Sequence, residues 1–167
     1  TTSDLILAKQ DDPVYLVQHI SRQKDVETIK ELVSGMANLM VHWVNSGMLA
    51  QQVSQVLTAI SDAITVRLIQ LADEQFGPAP VRWCWTGFGS LARSEQLLGA
   101  EQDYGLVIVD SVTEAQLRCF RDVADFVCNG LVEVGYVYCP GGIMAKTVEW
   151  RQPLATWQET VRKWARS

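Results

Sequence analysis

Apolar positions hold a helical period up to about residue 77 and turn strand-like just beyond it, which divides a helical half from a strand-bearing half. Ile29, Leu32, Val33, Met36, Met40 and Trp43 recur at spacings of three and four, the repeat that lines up side chains on one helix face. A helix is expected from about Asp25 to Asn45-Ser46-Gly47, with Gly35 either weakening it or allowing close packing. Leu49, Val53, Val56, Leu57, Ile60, Ile64, Leu68 and Leu71 hold the same period from about Met48 to Gln75. Only a tight turn separates the two, so they are expected to form an antiparallel hairpin with His42 as a packing or surface residue at its bend. Val66 and Ile69 point to a further partner for the second helix. Ahead of both, Asp12 is placed to cap a short helix whose first position is Pro13, and the residues before it read as loosely ordered.

Phe76-Gly77-Pro78-Ala79-Pro80 ends the helical half, because each proline fixes its own dihedral and pushes its predecessor toward extended backbone. Beyond it, Arg82 to Phe88 reads as a strand with Trp83 and Trp85 on one face, and Leu106-Val107-Ile108-Val109 as a second. Thr113-Glu114 opens a helix carrying Leu117, Phe120, Ala124, Val127, Leu131 and Val134 and closing at Gly135. Tyr136-Val137-Tyr138 reads as a brief third strand. Pro153 stands at the first position of a last helix, with Leu154, Trp157, Val161 and Trp164 in one stripe and Arg162, Lys163 and Arg166 complementing its C-terminal dipole. That stripe needs cover, either from the hairpin or from an element beyond residue 167. The fold class is therefore α+β: an N-terminal antiparallel helical hairpin or bundle, then a small mixed sheet flanked by helices. The expected division is 1–77 helical, 78–152 core and 153–167 a helix leading into a further C-terminal region.

Composition narrows the functions. Nineteen acidic against 14 basic residues give a net charge of −5, which supplies no general attraction to nucleic acid or to an anionic membrane. The four cysteines contain no Cys-x-x-Cys pair and stand far from His19 and His42, so structural zinc is not expected and the thiols read as free. With neither a signal-peptide pattern nor an apolar run long enough to span a bilayer, a cytoplasmic setting is expected.

The candidate chemistry lies between Trp83 and Asp110. The first strand ends in Gly89-Ser90, and Glu101-Gln102-Asp103 leads into the second. Glycine lets backbone approach a polyphosphate, and serine and exposed amides can hydrogen-bond it. Two carboxylates flanking one residue on a strand face the same side and can share magnesium. Plainer readings stand beside these: a serine-capped turn for Gly89-Ser90, a solvated strand entrance for Glu101 and Asp103, and a surface ion pair with Glu95 or Glu101 for Arg93. Glu95 suits capping or pairing with arginine. The tryptophans read as core, and Cys139, with no base nearby, as structural. The long hairpin would also suit a homodimerisation module.

Gly89-Ser90-Leu91-Ala92-Arg93-Ser94-Glu95-Gln96 followed by Glu101-Gln102-Asp103 resembles the Gly-Ser-x-x-Arg-x-Glu-Gln and Thr-Asp-Gln-Asp-Asn pattern of the bacterial signal-transduction nucleotidyltransferases. These are relatives of the PII uridylyltransferase and glutamine-synthetase adenylyltransferase N-terminal domains, often joined to cyclic-nucleotide-binding and CBS domains. Tyr138 to Ala145 and Glu149 to Leu154 resemble later blocks of the same family. The resemblance implies a polymerase-β-like core that transfers a nucleoside monophosphate from a triphosphate to a protein or small acceptor. It implies phosphate binding by Gly89, Ser90 and Arg93, with Glu101 and Asp103 as catalytic ligands of Mg2+ or Mn2+. A catalytically inactive nucleotide-sensing domain of the same fold is the alternative. Two positions depart from the pattern: Glu101 replaces an aspartate, lengthening the side chain by about 1.5 Å, and Tyr104 replaces an asparagine. The superfamily's third carboxylate has no clear counterpart, since Glu133 falls at a helix end and Glu149 in a loop. The resemblance therefore places it beyond residue 167.

Overall fold

Side-chain caps set where several helices begin. Asp12 accepts from the Val14 amide at 2.9 Å and starts α1 (Pro13–Ile20), Asp25 and Thr28 cap each other at the start of α2 (Val26–Val33), and Thr113 with Gln116 starts α6. The computed structural model describes residues 12–166, so the reading of the preceding segment as loosely ordered lies outside the described residues. The remaining elements are α3 (Met36–Asn45), α4 (Ala50–Phe76), β1 (Trp83–Gly87), α5 (Gly89–Ala92), β2 (Tyr104–Ile108), α6 (Glu114–Glu133), a 3-10 turn (Val148–Trp150), β3 (Arg151–Pro153) and α7 (Leu154–Trp164). The architecture is α+β, with helices flanking a small mixed sheet.

The single helix expected from Asp25 to Asn45 is two helices. Ser34 caps α2 with its hydroxyl donating to the Glu31 carbonyl at 2.7 Å, and Gly35 sits at the N-cap of α3. A serine that satisfies the preceding turn, followed by the residue least suited to a helix interior, breaks the run. No neighbour lies within 4 Å of where a Gly35 Cβ would stand, so close packing is not its role. The further partner expected for the long helix is α6, but Val66 is exposed; Leu68 makes the contact, resting on Gly130 of α6, where a Cβ would come within 2.8 Å of it. One hydrophobic core runs from Leu16 through α4 and the sheet to Ala145.

β1 and β2 pair antiparallel, with Trp85 opposite Leu106 and Gly87 opposite Tyr104, and β3 pairs with β2 in parallel. The third strand is therefore Arg151–Pro153, whereas Tyr136–Tyr138 contributes only the single bridge of Val137 to Glu101. Tyr136 leaves the sheet edge because its hydroxyl is drawn to Ser61 on α4. Tyr104 likewise sends its hydroxyl to Thr65 at 3.0 Å and packs its ring at a tilt against Trp85.

Pro153 precedes α7 by one residue rather than opening it, and the helix start is capped from a distance: Asp110, two residues beyond β2, accepts from the Ala155 amide at 2.7 Å. The α7 stripe packs on the sheet rather than on the hairpin. Trp157 is buried on the outer sheet face, its Nε1 donating to the Leu106 carbonyl at 3.1 Å, while Leu154, Val161 and Trp164 stay about half exposed.

Burial pushes the Cys128 thiol up from 9.0 to about 11, and raises Tyr104 and Tyr136 as well. Each is an acid that ionises more easily in the unfolded chain, so its contribution is complete below the unfolded value and is lost as pH rises through the folded one. Between pH 9 and 11 the Cys128 shift alone should remove about 2–3 kcal/mol of stability. Urea midpoints measured across that window are expected to fall steeply, and less steeply in Cys128→Ala.

Candidate functional site

Alternation along the chain brings the two acidic side chains out together. Gln102 points inward, almost fully buried, with its Nε2 donating to the Cys128 carbonyl at 2.9 Å. Its neighbours Glu101 and Asp103 must then face the opposite side. Glu101 is exposed and Asp103 half-buried. Both lie just before β2 rather than within it, where the Phe88 amide donates to the Asp103 carbonyl at 2.9 Å and extends the ladder by one bond.

That bond seats the glycine turn on the acid. Gly89 has a φ of +56°, and a Cβ built on it would stand 2.7 Å from Asp103 Oδ2. Glycine is required here twice over, for its backbone angle and for the space. As first-turn amides of α5, those of Gly89, Ser90 and Leu91 have no intrahelical acceptor. The Ser90 hydroxyl makes no hydrogen bond among the described residues, and the Ser90 carbonyl takes the amides of Arg93 and Glu95 at 3.2 and 2.9 Å. The turn closes at Ser94, whose φ is +57°.

Gly89, Ser90, Glu101 and Asp103 thus share one location. Arg93 is placed differently: its Nε contacts Glu95 Oε2 at 2.8 Å with both side chains well exposed, beside a cleft formed with Ala50, Gln51, Ser54 and Gln55 at the start of α4. Glu95 is the arginine partner expected of it. Gln96 is the anchor of this segment, 2% exposed and with its amide directed at Thr58 Oγ1 on α4.

Sequence reasoning missed Cys139. Its Sγ and the carboxylate oxygens of Glu101 and Asp103 all lie within 4.8 Å of one another, the only such grouping of three potential metal ligands among the described residues. The strand pairing, which the sequence does not show, accounts for the approach. Glu101 bridges Val137 in parallel, and continuing that register by two residues puts Cys139 opposite Asp103. The loop after Cys139 is pinned from below by Arg151, 8% exposed, whose Nη1 donates to the Ala145 and Lys146 carbonyls at 2.8 Å each. Glu133 ends α6 and Glu149 sits in the 3-10 turn, both exposed and outside the cluster. Tyr104, in the place of the family pattern's asparagine, is 3% exposed and faces α4.

A family model described as Putative nucleotidyltransferase DUF294 matches residues 34–167. The chain belongs to this family. The match takes in α3 through α7, so the family's extent covers the glycine turn, both carboxylates, the Cys139 loop and the long helix that backs them. Neither the curated proteins nor the solved structures returned a match. None of the described helices is long and apolar enough to cross a membrane.

Proposed function

We propose that this domain transfers a nucleoside monophosphate from a nucleoside triphosphate to a protein or small-molecule acceptor, releasing pyrophosphate, as part of a bacterial signalling protein. The observation that supports the proposal is the closeness of the Gly89 turn to the carboxylate pair: a Cβ at Gly89 would stand 2.7 Å from Asp103 Oδ2, and Glu101 lies beside Asp103. In this reading the amides of Gly89 and Ser90 and the Ser90 hydroxyl bind terminal phosphate oxygens. Arg93 leaves its exposed pairing with Glu95 to neutralise them, an exchange that costs little because such pairs are weak.

Two oxygen ligands that face one side suit magnesium or manganese. Asp103 and Glu101 would hold the cation, whose charge would offset that developing in an in-line displacement at the α-phosphorus. Asp103 is the better fixed of the two, because its carbonyl accepts from the Phe88 amide and its side chain is half-buried. Glu101, exposed and longer by one methylene, has room to reach the same point. A cytoplasmic setting fits free thiols and a triphosphate substrate. Cyclic-nucleotide-binding and CBS domains are the accompanying modules suggested by the resemblance.

The test is incubation of the protein with each labelled triphosphate, magnesium and candidate acceptors. Transfer with stoichiometric pyrophosphate is expected, and Asp103→Asn should lower it at least about a hundredfold. No transfer and no pyrophosphate with any nucleotide would refute the enzymatic reading. The exposure of Glu101 favours a second reading, a nucleotide-sensing domain without turnover. It predicts triphosphate binding, followed by equilibrium dialysis, that persists unchanged in Glu101→Gln.

A further inference from the structure

We propose that Cys139 is a third ligand at the carboxylate pair, giving the site a second mode in which a thiophilic divalent cation of the zinc class binds Glu101, Asp103 and Cys139 together. The inference rests on reading the carboxylates as a metal site, but not on nucleotidyl transfer. Two independent features carry it. The three donor atoms lie within 4.8 Å of one another. The Cys139 side chain is also 7% exposed and its thiol has no hydrogen-bond partner among the described residues, so a buried, unpaired sulfur is directed at two oxygens.

The donor set discriminates between cations. Magnesium takes oxygen ligands at near-ideal octahedral geometry and gains nothing from a thiol, whereas zinc and cobalt bind thiolate and carboxylate together. Zinc–sulfur and zinc–oxygen bonds of about 2.3 and 2.1 Å put the ligand atoms roughly 3.5 Å apart in a tetrahedron. Side-chain shifts of about 1 Å reach that from the observed cluster, and the exposed Glu101 can supply them. On ligation the sulfur–metal bond replaces the S–H bond, and the proton passes to solvent. The loop that carries the sulfur is held by Arg151 and by the Tyr104 amide, which donates to Ile143 at 3.1 Å. The cysteine is therefore presented to the acids by a fixed backbone. A zinc-class ion that occupies both carboxylates excludes magnesium from them, so binding would turn off magnesium-dependent chemistry.

Cobalt(II), added anaerobically to the metal-free protein, tests this by absorbance. The expected result is a near-ultraviolet thiolate-to-cobalt charge-transfer band that saturates at one equivalent and is displaced by zinc but not by a hundredfold excess of magnesium. The band should vanish in Cys139→Ser and persist in a Cys84→Ser/Cys119→Ser variant, which removes the exposed thiols. No band from the folded wild-type protein, or a band that survives in Cys139→Ser, overturns the proposal. Should Cys139→Ser lose its far-ultraviolet dichroism, Glu101→Gln decides: cobalt affinity at least tenfold weaker supports the site, and unchanged affinity refutes it. A cobalt band without nucleotidyl transfer would refute the enzymatic reading alone, and transfer without a band would refute this one alone.

Discussion

Gly89→Ala is expected to lower nucleotidyl transfer about a hundredfold while the protein remains folded. The added methyl would stand 2.7 Å from Asp103 Oδ2, closer than a carbon and an oxygen tolerate, so the carboxylate must move. A displacement near 1 Å at a reacting centre costs on the order of a hundredfold in rate. The φ of +56° adds a backbone penalty of about 1 kcal/mol for any residue with a Cβ, small against the stability of an ordinary domain. Measured kcat/KM should therefore fall far more than the urea midpoint. Activity within threefold of wild type would mean that the glycine and the aspartate do not act in one site. Gly35→Ala serves as the contrast, since open space surrounds that position and its φ is negative.

Trp157→Ala is expected to destabilise the protein by about 3–5 kcal/mol, the largest loss of any single truncation in α7. The indole is 7% exposed, lies over Gly105 with a carbon 2.9 Å from where a Cβ there would be, and donates to the Leu106 carbonyl. Its ring also contacts Phe88 and Trp150 at centroid distances of 5.8 and 5.7 Å. Truncation leaves a cavity and removes the indole hydrogen bond to the Leu106 carbonyl. Because Phe88 immediately precedes Gly89, the same variant should loosen the glycine turn and weaken triphosphate binding. Trp164→Ala, at a residue 52% exposed, should cost about 1 kcal/mol or less. Equal losses from the two variants, in denaturant titrations, would show that Trp157 does not anchor the helix.

Local patterning made much of this fold legible. The long α4, the Thr113 start of α6, the Asp12 cap and the strand faces of Trp83 and Trp85 all follow from short-range rules of period and capping. The Asp25–Asn45 helix misled because its apolar stripe continues in phase across Ser34-Gly35, and periodicity does not register a break that preserves phase. Tyr136–Tyr138 misled for a different reason: its residues suit a strand, but the Tyr136 hydroxyl bonds Ser61 on α4 and the Tyr138 hydroxyl donates to Asn129 on α6. Arg151–Pro153 pairs with β2 in spite of its proline, which falls at the strand's last residue, where a missing amide costs least.

For the site, neighbours along the chain already supply the parts: a glycine-serine turn after a strand, two carboxylates flanking one residue, and an arginine near a glutamate. Those are properties of neighbours along the chain, and the alternation of a strand decides which of them point together. Strand register and loop path set the Gly89 backbone where a Cβ would meet Asp103, let Asp110 cap a residue forty-five positions away, and bring Cys139 to Glu101 and Asp103. Both are set by the whole core and leave no periodic trace in the residues they bring together.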